Sequence, residues 1–90
     1  MKIKIIDMLS KMKCAREMFE ELGYTYQESY FEEKLDEINY SKSGEYAPQI
    51  IFNFNHKCVM IYRKENKASW FDVKVLQAIN KQIKELGWEE

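Results

Sequence analysis

The chain contains one histidine, His56, and two cysteines, Cys14 and Cys58, which are candidates for a catalytic base or a nucleophile. His56 lies in a short polar stretch between two apolar runs, which is typical of the tip of a β-hairpin. An exposed tip is a poor position for a preorganised base, and Cys58 is more simply explained as a small strand residue. The two cysteines fit no metal-binding or redox spacing. We therefore expect that the protein is not an enzyme.

Carboxylates are the other candidates for chemistry, and four of them fall close together as Glu32, Glu33, Asp36 and Glu37. They would gather on one side of the chain if this segment were helical, and such a group could suit a metal ion. An acidic face in water explains them as well, and we favour that interpretation. The three glycines form no phosphate-binding loop. We expect no metal and no cofactor.

A cluster of basic and aromatic residues follows the predicted hairpin. Arg63, Lys64 and Lys67 are flanked by Tyr62 and Trp70. Basic residues interleaved with aromatic ones can hold phosphates and stack on bases, so this segment is a candidate for nucleic-acid binding. Three basic residues would release few counterions, and such binding would be weak and sensitive to salt. The alternative is a solubilising loop whose aromatic side chains pack in the core.

Charge is unevenly distributed along a chain whose net charge is −1. Residues 17–37 hold eight acids and one lysine, which gives a net charge of −7. Residues 57–84 hold seven bases and two acids, which gives +5. The nearly neutral total argues against a strongly cationic nucleic-acid binder. We interpret the two segments as solvated faces of elements that attract each other.

The centre of the chain predicts a β-hairpin. In residues 49–63, QIIFNFNHKCVMIYR, β-branched and aromatic residues alternate with others on both sides of a polar turn. An even loop that contains Asn55, a residue type that tolerates positive φ, would fix which residues pair. A slip by one residue would exchange the two faces, and the sequence does not exclude it. The predicted pairs on the core face are Phe52 with Val59 and Ile50 with Ile61.

Two amphipathic helices are predicted, one near each end of the chain. The first covers about residues 3–22, with apolar residues at the i, i+3, i+4, i+7 spacing, and Gly23 can close it. The second begins after Asp72, a good N-cap residue, and is closed by Gly87. Its predicted packing residues are a hydrophobic staple of Phe71 with Leu76 and a stripe of Val75, Leu76, Ile79, Ile83 and Leu86.

Two further strands are predicted between the first helix and the hairpin, at residues 24–27 and 37–42. Residues 29–37 fit a helical turn, a loop or a ragged strand. Short connections favour an antiparallel meander, and two helices with one apolar face each should cover the same side of the sheet. We therefore predict that residues 1–90 form a single two-layer α+β domain, with about four strands in the order α-β-β-β-β-α.

Three stretches of the chain resemble a known group of proteins: AREMFEELGY near the start, IIFNFNHKCVMIYR in the hairpin and FDVKVLQAINKQIKELGW near the end. The group consists of small uncharacterised proteins encoded by phages, prophages and other mobile elements of Gram-positive bacteria. Its members share an opening helix with a Leu-Gly-Tyr-like end, a strand meander and a closing helix that ends in Leu-Gly-Trp. The resemblance implies an accessory protein of the bacterial cytosol that binds a host or phage component, and it implies no activity.

The function predicted from the sequence is binding rather than catalysis. We expect a cytoplasmic protein of a reducing compartment, because the sequence shows no signal peptide and no apolar run that could cross a membrane. The expected partner is another protein or a second copy of this chain, and the alternative is weak nucleic-acid binding by residues 62–70. The residues expected at the contact are Arg63, Lys64, Lys67 and His56, followed by Tyr40 and Tyr62.

Overall fold

The computed structural model describes residues 13–44, 47–63 and 72–88. These residues form two helices and four strands in the order α-β-β-β-β-α, which confirms the predicted α+β architecture. Neither of the helices described here is long and apolar enough to span a membrane. The elements are α1 (Ala15–Glu21), β1 (Thr25–Phe31), β2 (Lys34–Ser41), β3 (Gln49–Asn53), β4 (Cys58–Tyr62) and α2 (Val73–Glu85).

The four strands form one antiparallel sheet in the order β1-β2-β3-β4, so neighbours along the chain are neighbours in the sheet. The loop between β3 and β4 contains residues 54–57, and its left-handed residue is Lys57, with φ of 50°. Asn55 lies in this loop without adopting positive φ, because a four-residue loop is built around a type I turn. Both predicted pairs on the core face are confirmed, Phe52 with Val59 and Ile50 with Ile61.

Residues 29–37, which the sequence leaves open, complete a second hairpin. β1 continues to Phe31 and β2 begins at Lys34, so only Glu32 and Glu33 form the turn. Their φ angles are 50° and 66°. Positive φ at both turn residues characterises a type I′ turn, whose twist matches that of the strands it joins. The helical arrangement that could have gathered the carboxylates of this segment does not form.

The ends of the helices follow the predicted signals. Gly23 and Gly87 have φ of 94° and 72°, and Asp72 caps α2 by accepting a hydrogen bond of 2.8 Å from the Lys74 N–H. The start of the first predicted helix and Phe71 of the predicted staple lie outside the described residues. Leu76 is 45% exposed and does not belong to the buried stripe, because it points about 100° around the helix from Val75. The buried residues of α2 are Val75, Ala78, Ile79 and Gln82.

Both helices cover the same face of the sheet, as predicted. Phe19 of α1 lies at the centre of the core, with its ring stacked on Tyr40 at 3.8 Å between centroids and edge-on to Tyr24 and Phe52. Tyr40 is fully buried, and its hydroxyl donates a hydrogen bond of 2.6 Å to Gln82 Oε1. The prediction that Tyr40 contacts a partner is therefore wrong, because a core side chain is not accessible to one.

Candidate functional site

The strand β1 lies at one edge of the four-stranded sheet. Among the described strands it pairs only with β2, and six of its seven residues are exposed. Along such an edge, alternate N–H and C=O groups point away from the sheet and can pair with another chain. Natural edges are commonly blocked by lysine or proline, and the sequence of β1, TYQESYF, contains neither. We refer to β1 together with the turn residues Glu32 and Glu33 as the acidic edge.

A carboxylate is held in place at the middle of the acidic edge. Strand residues two apart point to the same side, so Tyr26 and Tyr30 flank Glu28. The Tyr26 hydroxyl donates a hydrogen bond of 2.6 Å to Glu28 Oε2, and the Tyr30 hydroxyl donates one of 2.9 Å to Glu28 Oε1. These two bonds satisfy both carboxylate oxygens and keep the charge at one position on an exposed strand.

The titration of these groups follows from the same contacts. The hydrogen bond from Tyr26, followed by that from Tyr30, lowers the pKa of Glu28 below its ordinary value of 4.5. Burial, followed by the hydrogen bond to Glu28, raises the pKa of Tyr26 to about 12. The carboxylate is therefore charged and the phenol neutral near pH 7. An acid or a base in catalysis needs a pKa close to the working pH, and both shifts move in the opposite direction. The cluster is suited to presenting a fixed negative charge.

Exposed aromatic side chains lie beside the charges at the turn end of the acidic edge. Tyr30 is 60% exposed and Phe31 is 67% exposed, and the turn carboxylates of Glu32 and Glu33 follow immediately. Large aromatic side chains are common at protein interfaces, where they bury a large area at a low cost in conformational entropy. This end of β1 therefore combines open backbone groups, apolar area and negative charge.

The other end of β1 is covered by α1 and is close to neutral. The Arg16 guanidinium lies 4.2 Å from the centroid of the Tyr26 ring, and its Nε is 3.6 Å from Glu20 Oε2. A second ion pair on this side joins Lys13 and Glu21. The acids of α1 are therefore partly neutralised by their own neighbours. Glu28 receives its hydrogen bonds from neutral phenols, and the nearby Arg16 charge also lowers the pKa of its carboxyl. The side chains of Glu28, Glu32 and Glu33 are exposed to a partner.

The residues predicted for the contact surface are separated by the fold. His56 is exposed in the β3–β4 loop, where its backbone N–H donates a hydrogen bond of 2.8 Å to Asn53 Oδ1. Tyr62, which is 54% exposed, and the half-buried Arg63 follow at the opposite end of β4. Five strand residues separate these two ends by roughly 15 Å, so His56 does not join the other two. Lys64, Lys67 and Trp70 lie outside the described residues.

A cleft of about 420 Å³ brings Tyr62 and Arg63 together with residues 41–44, which were not predicted as part of a site. Lys42 is the second basic residue of this cleft, and Ser41 and Ser43 supply hydroxyl groups. We refer to it as the basic cleft. A signal for it exists in the sequence, because extending the meander places the end of β2 beside the start of β3, opposite Tyr62. Among the described residues, those that line the cleft are 41–44, 47–49, 62 and 63.

The acidic edge was also not predicted as a unit, although its alternation was visible. The run Tyr26, Glu28, Tyr30 at every second residue places one carboxylate between two phenols on any strand. The first strand was predicted to end at residue 27, which left Glu28 and Tyr30 outside it. Metal-binding chemistry finds no support in the part of the chain that is described, where histidine, cysteine and carboxylate side chains form no group of three that could hold an ion.

Comparison with known proteins identifies no relative: no protein-family model, no curated protein and no solved structure matches this chain. The resemblance to small proteins of phages and mobile elements therefore stays a prediction. The function has to be inferred from the two surfaces themselves.

Proposed function

We propose that this chain is a non-enzymatic binding protein that recognises an extended segment of a partner protein along its acidic edge. The observation that carries the proposal is the position of β1 at an edge of the sheet, with six of its seven residues exposed, because alternate backbone groups of an edge strand point outwards. A partner strand would add to the sheet, with main-chain hydrogen bonds supplying affinity and alternate side chains supplying specificity. The resemblance to accessory proteins of mobile elements agrees with this role.

Charge indicates which partner segment the edge would accept. Glu28 carries a fixed negative charge in the centre of β1, and Glu32 and Glu33 add two more at its end. A segment with one lysine or arginine opposite Glu28 and further basic residues beyond the end of β1 would place its charges near these carboxylates. A second copy of β1 paired antiparallel about its centre would instead bring two Glu28 carboxylates together, which is unfavourable. We therefore favour a basic partner protein over self-association through this edge.

The experiment is a tagged pull-down from bacterial lysate, compared between two variants that remove the same number of charges. The test variant is Glu28→Gln, Glu32→Gln and Glu33→Gln, which keeps side-chain shape. The matched control makes the same change on α1, at Glu17, Glu20 and Glu21. We expect a partner that is recovered with the wild type and the control and is reduced about ten-fold or more with the test variant, equivalent to about 1.4 kcal/mol or more.

Nuclease treatment of the same lysate separates the proposal from its alternative. A protein partner at the acidic edge should survive nuclease. Recovery that is lost with nuclease and is the same for both variants would contradict the proposal and would favour nucleic-acid binding by residues 62–70. Equal recovery of every protein by the wild type and both variants would also contradict it, because the edge would then select nothing.

A further inference from the structure

The carboxylate of Glu28 keeps acceptor positions after its contacts with the two phenols are counted. A carboxylate can accept about four hydrogen bonds, which is about two at each oxygen. The Tyr26 hydroxyl occupies one position at Oε2, and the Tyr30 hydroxyl occupies one at Oε1. Among the contacts of the described residues, each oxygen therefore keeps an acceptor position, and the side chain of Glu28 is exposed. Glu28 thus offers both of its carboxylate oxygens to a partner.

The nearby guanidinium of Arg16 does not occupy these acceptor positions. It lies 4.2 Å from the centroid of the Tyr26 ring, and its Nε is 3.6 Å from Glu20 Oε2. The hydrogen bonds from Tyr26 and Tyr30 are the largest causes of the lowered pKa of Glu28, and the charge of Arg16 is a smaller one. Arg16 therefore acts on Glu28 through space and leaves its oxygens to a partner.

A strand added beside β1 would bring one of its side chains next to Glu28. On its other side Glu28 is paired with Ile38 of β2, and the added strand would supply the second neighbour. Residues directly opposite each other on antiparallel strands point to the same face, with Cβ atoms about 4.5–5.5 Å apart. A single residue of the partner is therefore opposite Glu28, and its side chain reaches the carboxylate along the face that Tyr26 and Tyr30 share.

From this arrangement we infer that the partner residue opposite Glu28 is an arginine, which donates two parallel hydrogen bonds to Oε1 and Oε2. A guanidinium is planar and presents paired N–H donors that match the two oxygens of a carboxylate. A lysine ammonium is a compact and strongly hydrated charge without this paired geometry. A carboxylate that two phenols already hold in place loses little freedom when it binds. The inference rests on the proposed function, because it requires a partner strand at β1.

The first test is the selection of random peptides of about twelve residues, displayed on phage, against the whole chain. The wild type is compared with Glu28→Asp, which keeps the negative charge but is one methylene shorter and so withdraws from both phenols. We expect the wild type to enrich arginine over lysine about ten-fold at one peptide position, because a hydrogen bond to a charged group distinguishes the two. Glu28→Asp should enrich arginine and lysine about equally.

The same selection separates a failure of this inference from a failure of the proposed function. Equal enrichment of arginine and lysine by the wild type would overturn the inference and leave the proposed function standing. Arginine enrichment that persists in Glu28→Asp would also overturn it, because the held geometry of the carboxylate would then not be recognised. A third selection uses the variant Glu28→Gln, Glu32→Gln and Glu33→Gln. If this variant and the wild type select the same peptides, both the proposed function and the inference are wrong.

The most enriched peptide then tests the role of the phenols by isothermal titration calorimetry. Replacing its arginine by lysine should weaken binding about ten-fold, and citrulline, which has a similar shape without the charge, should weaken it further. Tyr30→Phe keeps the ring and removes a hydroxyl that holds Glu28, so the difference between the arginine and lysine peptides should shrink. Tyr62→Phe removes a hydroxyl from an exposed tyrosine of β4 and should leave the difference unchanged. An undiminished difference in Tyr30→Phe would overturn the inference.

Discussion

The acidic edge and the basic cleft hold opposite charges with the same kind of side chain. Beside the cleft, Tyr24 presents its ring to the ammonium of Lys42, and at the edge Tyr26 presents its hydroxyl to the carboxylate of Glu28. A phenol can do both because its ring face is electron-rich and its O–H is a donor. Two tyrosines two residues apart therefore position a cation and an anion in different regions of the molecule.

The two kinds of contact constrain the charges to different degrees. The hydrogen bond of 2.6 Å to Glu28 is directional and shifts the pKa of both partners. The contact of 5.1 Å between the Lys42 ammonium and the Tyr24 ring is less directional than a hydrogen bond. A charge held by two hydrogen bonds, such as that of Glu28, suits a partner with fixed spacing, such as a strand. Tyr24 packs on Phe19 and Tyr26 packs on Tyr40, and the rings of Phe19 and Tyr40 are stacked on each other. A substitution in this aromatic layer should therefore affect both regions.

Removing a ring from this aromatic layer should have the largest effect on the free energy of unfolding. Phe19→Ala deletes the ring that stacks on Tyr40 and meets Tyr24 edge-on in a fully buried position. We expect the free energy of unfolding to fall by about 3–5 kcal/mol, measured by urea denaturation. Leu76→Ala, at a position that is 45% exposed, is the control and should change it by about 0.5 kcal/mol or less. Similar losses in the two variants would show that Phe19 does not hold the layer together.

The periodicity of the sequence was sufficient to predict the elements that short-range patterns determine. The alternation around Phe52 and Val59 predicted the hairpin and its register, and Asp72 and Gly87 predicted the two ends of α2. Burial also favours one register, because a slip would place Phe52 on the other face. Local pattern and core packing agree here, so the prediction was correct.

Elements that break the usual turn chemistry, or depend on distant pairing, were not predictable in the same way. Glu32 and Glu33 occupy left-handed positions where asparagine or glycine is expected, so nothing in their types indicates a turn. Lys42 reaches the cleft only through the order of the strands. Tyr40 is a different case, because it lies two residues after Ile38 and its burial followed from the predicted strand.

Breaking the buried hydrogen bond between Tyr40 and Gln82 should have the second largest effect on the free energy of unfolding. Tyr40→Phe removes the donor to Gln82 Oε1 and leaves a buried amide without that bond, which should cost about 1–3 kcal/mol in the free energy of unfolding. The double variant with Gln82→Met should recover part of this loss, because both polar groups are then absent. Urea denaturation of the four proteins in this cycle measures the coupling, and a coupling of zero would mean that the bond contributes nothing.

The contact between Lys42 and the Tyr24 ring should contribute less to the free energy of unfolding. Lys42→Ala removes an ammonium that is 5.1 Å from the Tyr24 ring centroid, and an exposed contact of this kind is worth about 0.5–1 kcal/mol. Lys34→Ala removes an exposed lysine from the same strand and should change the unfolding free energy by about 0.5 kcal/mol or less. An equal effect of both substitutions, measured in urea, would mean that the ring does not hold the ammonium.

The hydroxyl contacts at the acidic edge should have the smallest effect on global stability, because Glu28 is exposed, and they are best detected by titration. Tyr26→Phe should raise the pKa of Glu28 towards its ordinary 4.5, and Tyr30→Phe should raise it less, because Tyr26 is the main cause of the shift. Carboxyl ¹³C NMR measures both values, and an unchanged pKa in Tyr26→Phe would contradict this account.

The sign of the accompanying stability change is fixed by the direction of the shift. Because the folded pKa of Glu28 is lowered, its contribution is fully present above pH 4.5 and is lost as the pH falls through the folded value. Tyr26, with a pKa raised to about 12, contributes below its ordinary 10 and loses that contribution as the pH rises through 12. The bond between them is thus intact over the whole range in which a basic partner is charged, so binding at the acidic edge should not change with pH between about 6 and 9.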